Sequence, residues 1–176
     1  MESSRGTVIR LTKLTDTSLI VTWLTLEHGL IKTVAKGARG SKSVFSGKID
    51  LFVEAEIEWQ RAKRGDLHHL REVTVGDYRM PLRRSYRDIS FASYFGKLLG
   101  EMVEEDFPVP DLADLFRRAL GYLVENGADR KALLHFEKEL GRQLGNGPHG
   151  MFINETGKLS VSCLSARESC LKMVGA

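Results

Sequence analysis

The chain has only two cysteines and four prolines, and no apolar run approaches the ~20 residues that a membrane span needs. Two thiols, Cys163 and Cys170, cannot staple a small secreted scaffold and suit a reducing compartment. With so few prolines and no low-complexity tract, long disorder is not expected. Met1 to Arg5 holds no secretory apolar stretch, so the cytoplasm is the expected compartment and a membrane is not an expected partner. Catalytic signatures are missing too: there is no P-loop, no GxGxxG after a strand, no GxSxG and no HExxH. Neither an enzyme nor a bound cofactor is expected.

What is present is an ordinary globular composition. The 176 residues, 42% hydrophobic and 28% charged, suffice for one average domain or two small ones. The net charge of +3 hides a strong asymmetry. Residues 1–48 hold eight Lys/Arg against three Asp/Glu, a net of +5. Residues 101–114 hold six acids and no base, a net of −6.

The first half alternates at period two between turn residues. Strands are predicted over Gly6 to Leu14, Ser18 to Leu26, Leu30 to Ala35, Ile49 to Trp59 and Leu67 to Val75. Gly29 allows a tight hairpin between the second and third. Five short strands in about 75 residues suit a small closed barrel, because closure removes exposed edges. At Pro81 the period changes. Tyr86, Ile89, Ala92, Ser93, Phe95, Gly96, Leu99 and Met102 form a helix stripe. A second helix is expected from an N-cap at Asp111 to about Glu125, and a third from Asp129 through Leu144. Around Gly157 a hairpin-like piece is expected (Phe152-Ile153, then Lys158 to Val161), with irregular structure beyond Cys163. The predicted class is therefore α+β and multi-domain. A β-barrel over 1–80 precedes a helical domain over 81–176 with a short irregular tail.

Two histidine and cysteine patterns carry little. His68 and His69 are neighbours on a strand and point to opposite faces, so they cannot share a metal. Cys163 and Cys170, with a remote His149, lack the paired spacing of a structural zinc site, and no metal is expected. The basic residues carry more. Lys32, Lys36, Arg39 and Lys42 cluster on the third strand and the loop after it, and Arg10 and Lys13 lie on the first strand. Such cations along a groove follow phosphates, while aromatic faces stack bases. Phe45 is a possible stacking residue at the end of this loop, and Trp23 and Trp59 read as core or rim. The plain alternative is a solvated charge cluster at a strand end.

These residues also carry a family likeness. Thr17-Ser18-Leu19-Ile20-Val21, Leu24-Thr25, Glu27-His28-Gly29 and Val34-Ala35-Lys36-Gly37-Ala38-Arg39 together resemble the N-terminal domain of bacterial recombination mediators of the RecO family. His135-Phe136-Glu137 and Leu144-Gly145 resemble that family's Arg-Phe-Glu and terminal Leu-Gly. The likeness runs over roughly residues 5 to 147. Many relatives continue further with a four-cysteine zinc module, whose first CxxC pair this chain lacks.

The resemblance implies an OB-fold followed by a helical domain. It implies binding to single- and double-stranded DNA, strand annealing, and help in loading recombinase onto strands covered by single-strand-binding protein. The implied partners are RecR and the acidic, hydrophobic C-terminal tail of single-strand-binding protein. The family's basic barrel residues map onto Lys36 and Arg39. Its tail-binding site maps onto the helical domain, where His135 replaces an arginine and Arg130, Lys131 and Arg142 lie near it in sequence. A protein-interaction scaffold and an RNA-binding barrel remain the alternatives.

Overall fold

The computed structural model describes residues 1–145 and 159–175. They fall into two compact units: Met1–Arg79 with Val103–Pro110, and Met80–Met102 with Asp111 onward.

The first unit is a closed five-stranded barrel in the order β1-β2-β3-β5-β4. Its strands are β1 (Glu2–Lys13), β2 (Leu19–Thr25), β3 (Gly29–Ala35), β4 (Glu54–Gln60) and β5 (Leu67–Asp77). All neighbours are antiparallel except β3 and β5, whose parallel pairing joins Lys32–Val34 to Leu67–His69. This is the expected OB-fold, and β4 shows why it forms. Ala55, Ile57 and Trp59 point into the barrel while Glu56, Glu58 and Gln60 face water. Val8, Val21, Trp23, Ile31 and Val73 complete the core. The indole of Trp23 stays satisfied there, donating to Thr33 Oγ1 at 2.9 Å.

Two barrel expectations change. The predicted fourth strand is shorter, because Ile49–Val53 folds as a turn and not as strand. Phe52 takes the left-handed region at φ +65°, and its amide donates to Val8 O. Its own carbonyl accepts from Arg79 Nη1 at 2.7 Å, so a buried guanidinium stabilises a conformation that is unfavourable for a bulky residue. Phe45 is no stacking platform. It is buried within the barrel core, as are Trp23 and Trp59.

The described part of the second unit holds a 3-10 turn (Met80–Arg84) and four α-helices: α1 (Tyr86–Met102), α2 (Pro110–Asn126), α3 (Arg130–Gln143) and α4 (Val161–Met173). Ser85 Oγ accepts from the amide of Asp88 at the start of α1, and Asp129 Oδ1 from Ala132 at the start of α3. Asp111 sits inside the first turn of α2 and does not cap it, because Pro110 opens that helix. Phe95 and Phe136 stack between α1 and α3, ring centres 4.1 Å apart. The irregular tail beyond Cys163 is also corrected. Residues 161–173 form α4, started by Ser160 Oγ accepting from the Cys163 amide. The expected piece around Phe152 and Gly157 lies outside the described residues, as does His149.

Candidate nucleic-acid interface

The hairpin register sorts the six barrel cations. Arg10 pairs with Thr22, and Thr22 with Lys32, so these three form a row across the outer face of the barrel. Lys13 pairs with Leu19, and Leu19 with Ala35, one residue before Lys36. Arg10 and Lys13 are three residues apart in an unbroken stretch of β1, so period-two alternation sends them to opposite faces. They do not share one face with the rest. Instead the cations divide between an outer row and the barrel end where β1, β2 and β3 meet.

At that end the chain fixes its own loop. The Arg39 amide donates to Thr17 O at 2.9 Å, and Arg39 Nη1 reaches Asp16 O at 3.1 Å. Gly37 N donates to Ser18 Oγ, and Lys13 Nζ pairs with Asp16 Oδ1 at 2.7 Å. The post-β3 loop is thereby pinned to the β1–β2 turn. Lys36, Gly37, Gly40, Ser41, Lys42, Ser43 and Val44 line an open hollow on it. Lys36 and Lys42 are exposed and make no ion pair among the described residues, so their charge is available to a phosphate. Small side chains beside them let a backbone approach closely.

Lys32 is placed differently. It pairs with Glu105, and lies 3.6 Å from Asp66 Oδ2. Its hydrogen bond to the Glu105 carboxylate holds its ammonium above the usual lysine range. Its charge is already balanced within the chain. Arg61, on the β4–β5 loop, is likewise held by Glu2 and by Asp106 Oδ1 at 3.1 Å. The sequence marks Arg61 as part of a basic turn over 60–66 and Glu105 and Asp106 as part of the acidic segment, but it does not pair them.

The helical unit holds a second feature. An apolar groove of about 280 Å3 runs between α2 and α3, floored by Phe95, Leu115 and Phe136. Its basic rim is Arg118, Lys131 and His135. Of the four predicted partner residues, Lys131 and His135 line this groove. Arg142 does not; it pairs with Glu139 and lines a separate polar hollow with Asp111 and Asp114. Arg130 is exposed at the start of α3 and is not part of the lining. Arg118 was missed in the sequence. The structure pairs it with Asp114 at 2.8 Å, and hydrogen bonds from Arg117 and Arg118 hold that carboxyl below its usual range. No group of three or more His, Cys, Asp or Glu side chains suited to a metal occurs among the described residues. No described helix is long and apolar enough to cross a membrane.

The closed barrel, followed by a helical unit, defines an OB-fold protein. Residues 1–79 match the family model described as Recombination protein O N terminal. The chain is 33% identical over 141 residues to DNA repair protein RecO of Rhodopirellula baltica, covering 80% of this chain and 52% of that protein. It is 35% identical over 132 residues to DNA repair protein RecO of Coxiella burnetii, covering 75% and 55%. The barrel domain is thus of the RecO N-terminal family, and the chain is similar to RecO proteins over three quarters or more of its length. It spans about half the length of the curated relatives it matches.

Proposed function

We propose that the chain is a non-enzymatic, cytoplasmic DNA-binding mediator of recombinational repair, holding strands on the barrel and protein partners on the helical unit. The observation that carries this reading is the pinned loop, which presents Lys36 and Lys42 on an open hollow without an ion pair among the described residues, with Arg39 exposed between them in sequence. The names of the RecO relatives, all DNA repair proteins, support it. Annealing would follow from screening the phosphates of two strands at once, and RecR and recombinase loading belong to the same reading. The α2–α3 groove suits an acidic peptide with an apolar end, such as the C-terminal tail of single-strand-binding protein. Carboxylates would meet Lys131 and Arg118 while apolar side chains cover Phe95 and Phe136. Because Phe45, Trp23 and Trp59 are buried, the barrel offers phosphate contacts and not stacked bases at this loop.

The test is a fluorescence-anisotropy titration of single-stranded DNA at several salt concentrations. Each phosphate contact contributes a log–log slope of about 0.7 for single strands, so four contacts weaken Kd on the order of fiftyfold between 50 and 200 mM salt. Lys36→Glu with Arg39→Glu should lose most of the affinity with the fold intact. Binding that ignores salt, or survives this pair unchanged, returns the barrel to the scaffold reading. Tighter binding of RNA than of DNA favours the translation-type barrel.

A further inference from the structure

OB-fold barrels take oligonucleotides across the β2–β3 face, between the β1–β2 and β4–β5 loops. Here that route has two ends of opposite character. The far end is cationic at Lys36 and Arg39. The near end is covered by Val103–Pro110, an acidic strap that belongs to the barrel unit although it follows α1 in sequence.

The strap is bolted by its backbone. Asp106 N donates to Leu30 O at 3.0 Å, and Glu105 bridges Leu30 in parallel. An ideal Cβ on Gly29 would lie 1.9 Å from Phe107 O, so only glycine admits this approach. Asp106 turns the chain through the left-handed region at φ +55°, which Asp tolerates better than most residues. The acids then face the barrel's cations. Glu105 holds Lys32, and Asp106 holds Arg61. Asp106 Oδ2 also lies 3.5 Å from Nε2 of His68, a 2%-exposed side chain. His68 Nδ1 accepts from the Ala62 amide, so in the neutral ring the proton sits on Nε2, which has no hydrogen-bond partner among the described residues. Counting Glu2 and Asp66, four carboxylates surround two cations, and a phosphate meets net negative charge.

We propose that Lys32 and Arg61 form a latent phosphodiester subsite of the barrel, which the strap's carboxylates occupy in place of a strand. The strap thereby confines the wild-type hold on DNA to the Lys36–Arg39 end, whose first cation is four residues beyond Lys32, roughly 13 Å at about 3.3 Å per residue. The inference rests on the nucleic-acid reading above. It deepens that reading by naming a second subsite and the segment that closes it.

The test is the same anisotropy titration on the full chain with Glu105→Gln and Asp106→Asn, which keep side-chain shape; Asn also tolerates the left-handed turn. Glu105→Gln alone, which leaves that turn untouched, is the second arm should the double variant melt early. The strap variant should bind single-stranded DNA about fivefold tighter at 50 mM salt, with a slope steeper by about 0.7 for each cation released. Adding Lys32→Gln with Arg61→Gln should cancel the gain, while that pair alone should change wild-type binding little. A gain that survives the pair is a general field effect and overturns the subsite, as does an unchanged Kd and slope in the strap variant when the wild type binds salt-sensitively. If wild type and all variants fail to bind DNA, the nucleic-acid reading itself falls.

Discussion

Gly29 and Gly37 share nearly one backbone conformation, φ +66° and +67°, but not one environment. Nothing lies within 4 Å of a Cβ at Gly37, so Gly37→Ala should cost only the left-handed backbone, about 1–2 kcal/mol. At Gly29 the Cβ collides with the Phe107 carbonyl, and backbone must move. Gly29→Ala should cost about 3 kcal/mol or more and loosen the acidic strap from Leu30. Urea unfolding of the two variants checks this; equal losses would remove the close approach. At this scale the sequence shows a residue's charge or flexibility but not its partner. Lys32 and Lys36 read alike, four residues apart, yet one is neutralised by Glu105 and the other stands free. Glu105 is 73 residues away, and no local pattern links them. Phe45 was misread for the same reason, since a lone aromatic after a cationic loop shows nothing of the core it enters.

Strands and helices were legible wherever burial alternates regularly. β4 reads inside-out at period two, and α1 carries its stripe at spacings of three and four. α4 has no such stripe. Val161 and Leu164 are exposed, and the helix buries Cys163 and Cys170, seven residues apart. What attaches it is a polar contact. The Glu137 carboxylate, 3% exposed, accepts from Tyr94 Oη at 2.7 Å and from Arg167 at 2.7 and 3.0 Å. Burial raises both thiols to about 11 and pushes the Tyr94 phenol up as well. Two outcomes follow for α4. Iodoacetamide at pH 8 should modify neither thiol in the folded protein at an appreciable rate, and both after denaturation. The thiols' contribution to folding stability should be nearly constant from neutral pH to about pH 8 and be lost between about 9 and 11. In that window the unfolded thiols ionise first, so the native state binds more protons. Denaturant titrations at pH 8 and 10.5 check the sign. Stability that rises with pH there would mean the thiols are not buried as described.

Among the described residues, the two units present cations in two different settings. The barrel presents cations around small, polar loop residues, suited to a phosphate backbone; the helical groove presents cations around an apolar floor, suited to an acidic peptide with an apolar end. The sequence showed the basic front end and the acidic segment 101–114 as a simple asymmetry. It did not show that part of the acidic segment folds back into the barrel unit, because that depends on a backbone bridge between Leu30 and Glu105. With the two sets of cations on different residues, their ligands should be separable. Lys131→Glu with His135→Glu should weaken an acidic tail peptide on the order of tenfold while leaving DNA within about twofold, and Lys36→Glu with Arg39→Glu should do the reverse. Saturating peptide should shift the DNA Kd by less than about threefold, a coupling below roughly 0.7 kcal/mol. Isothermal titration of peptide, and anisotropy of DNA with and without peptide, measure both. A helical variant that abolishes DNA binding, or a barrel variant that abolishes peptide binding, would show one shared cationic site in place of two.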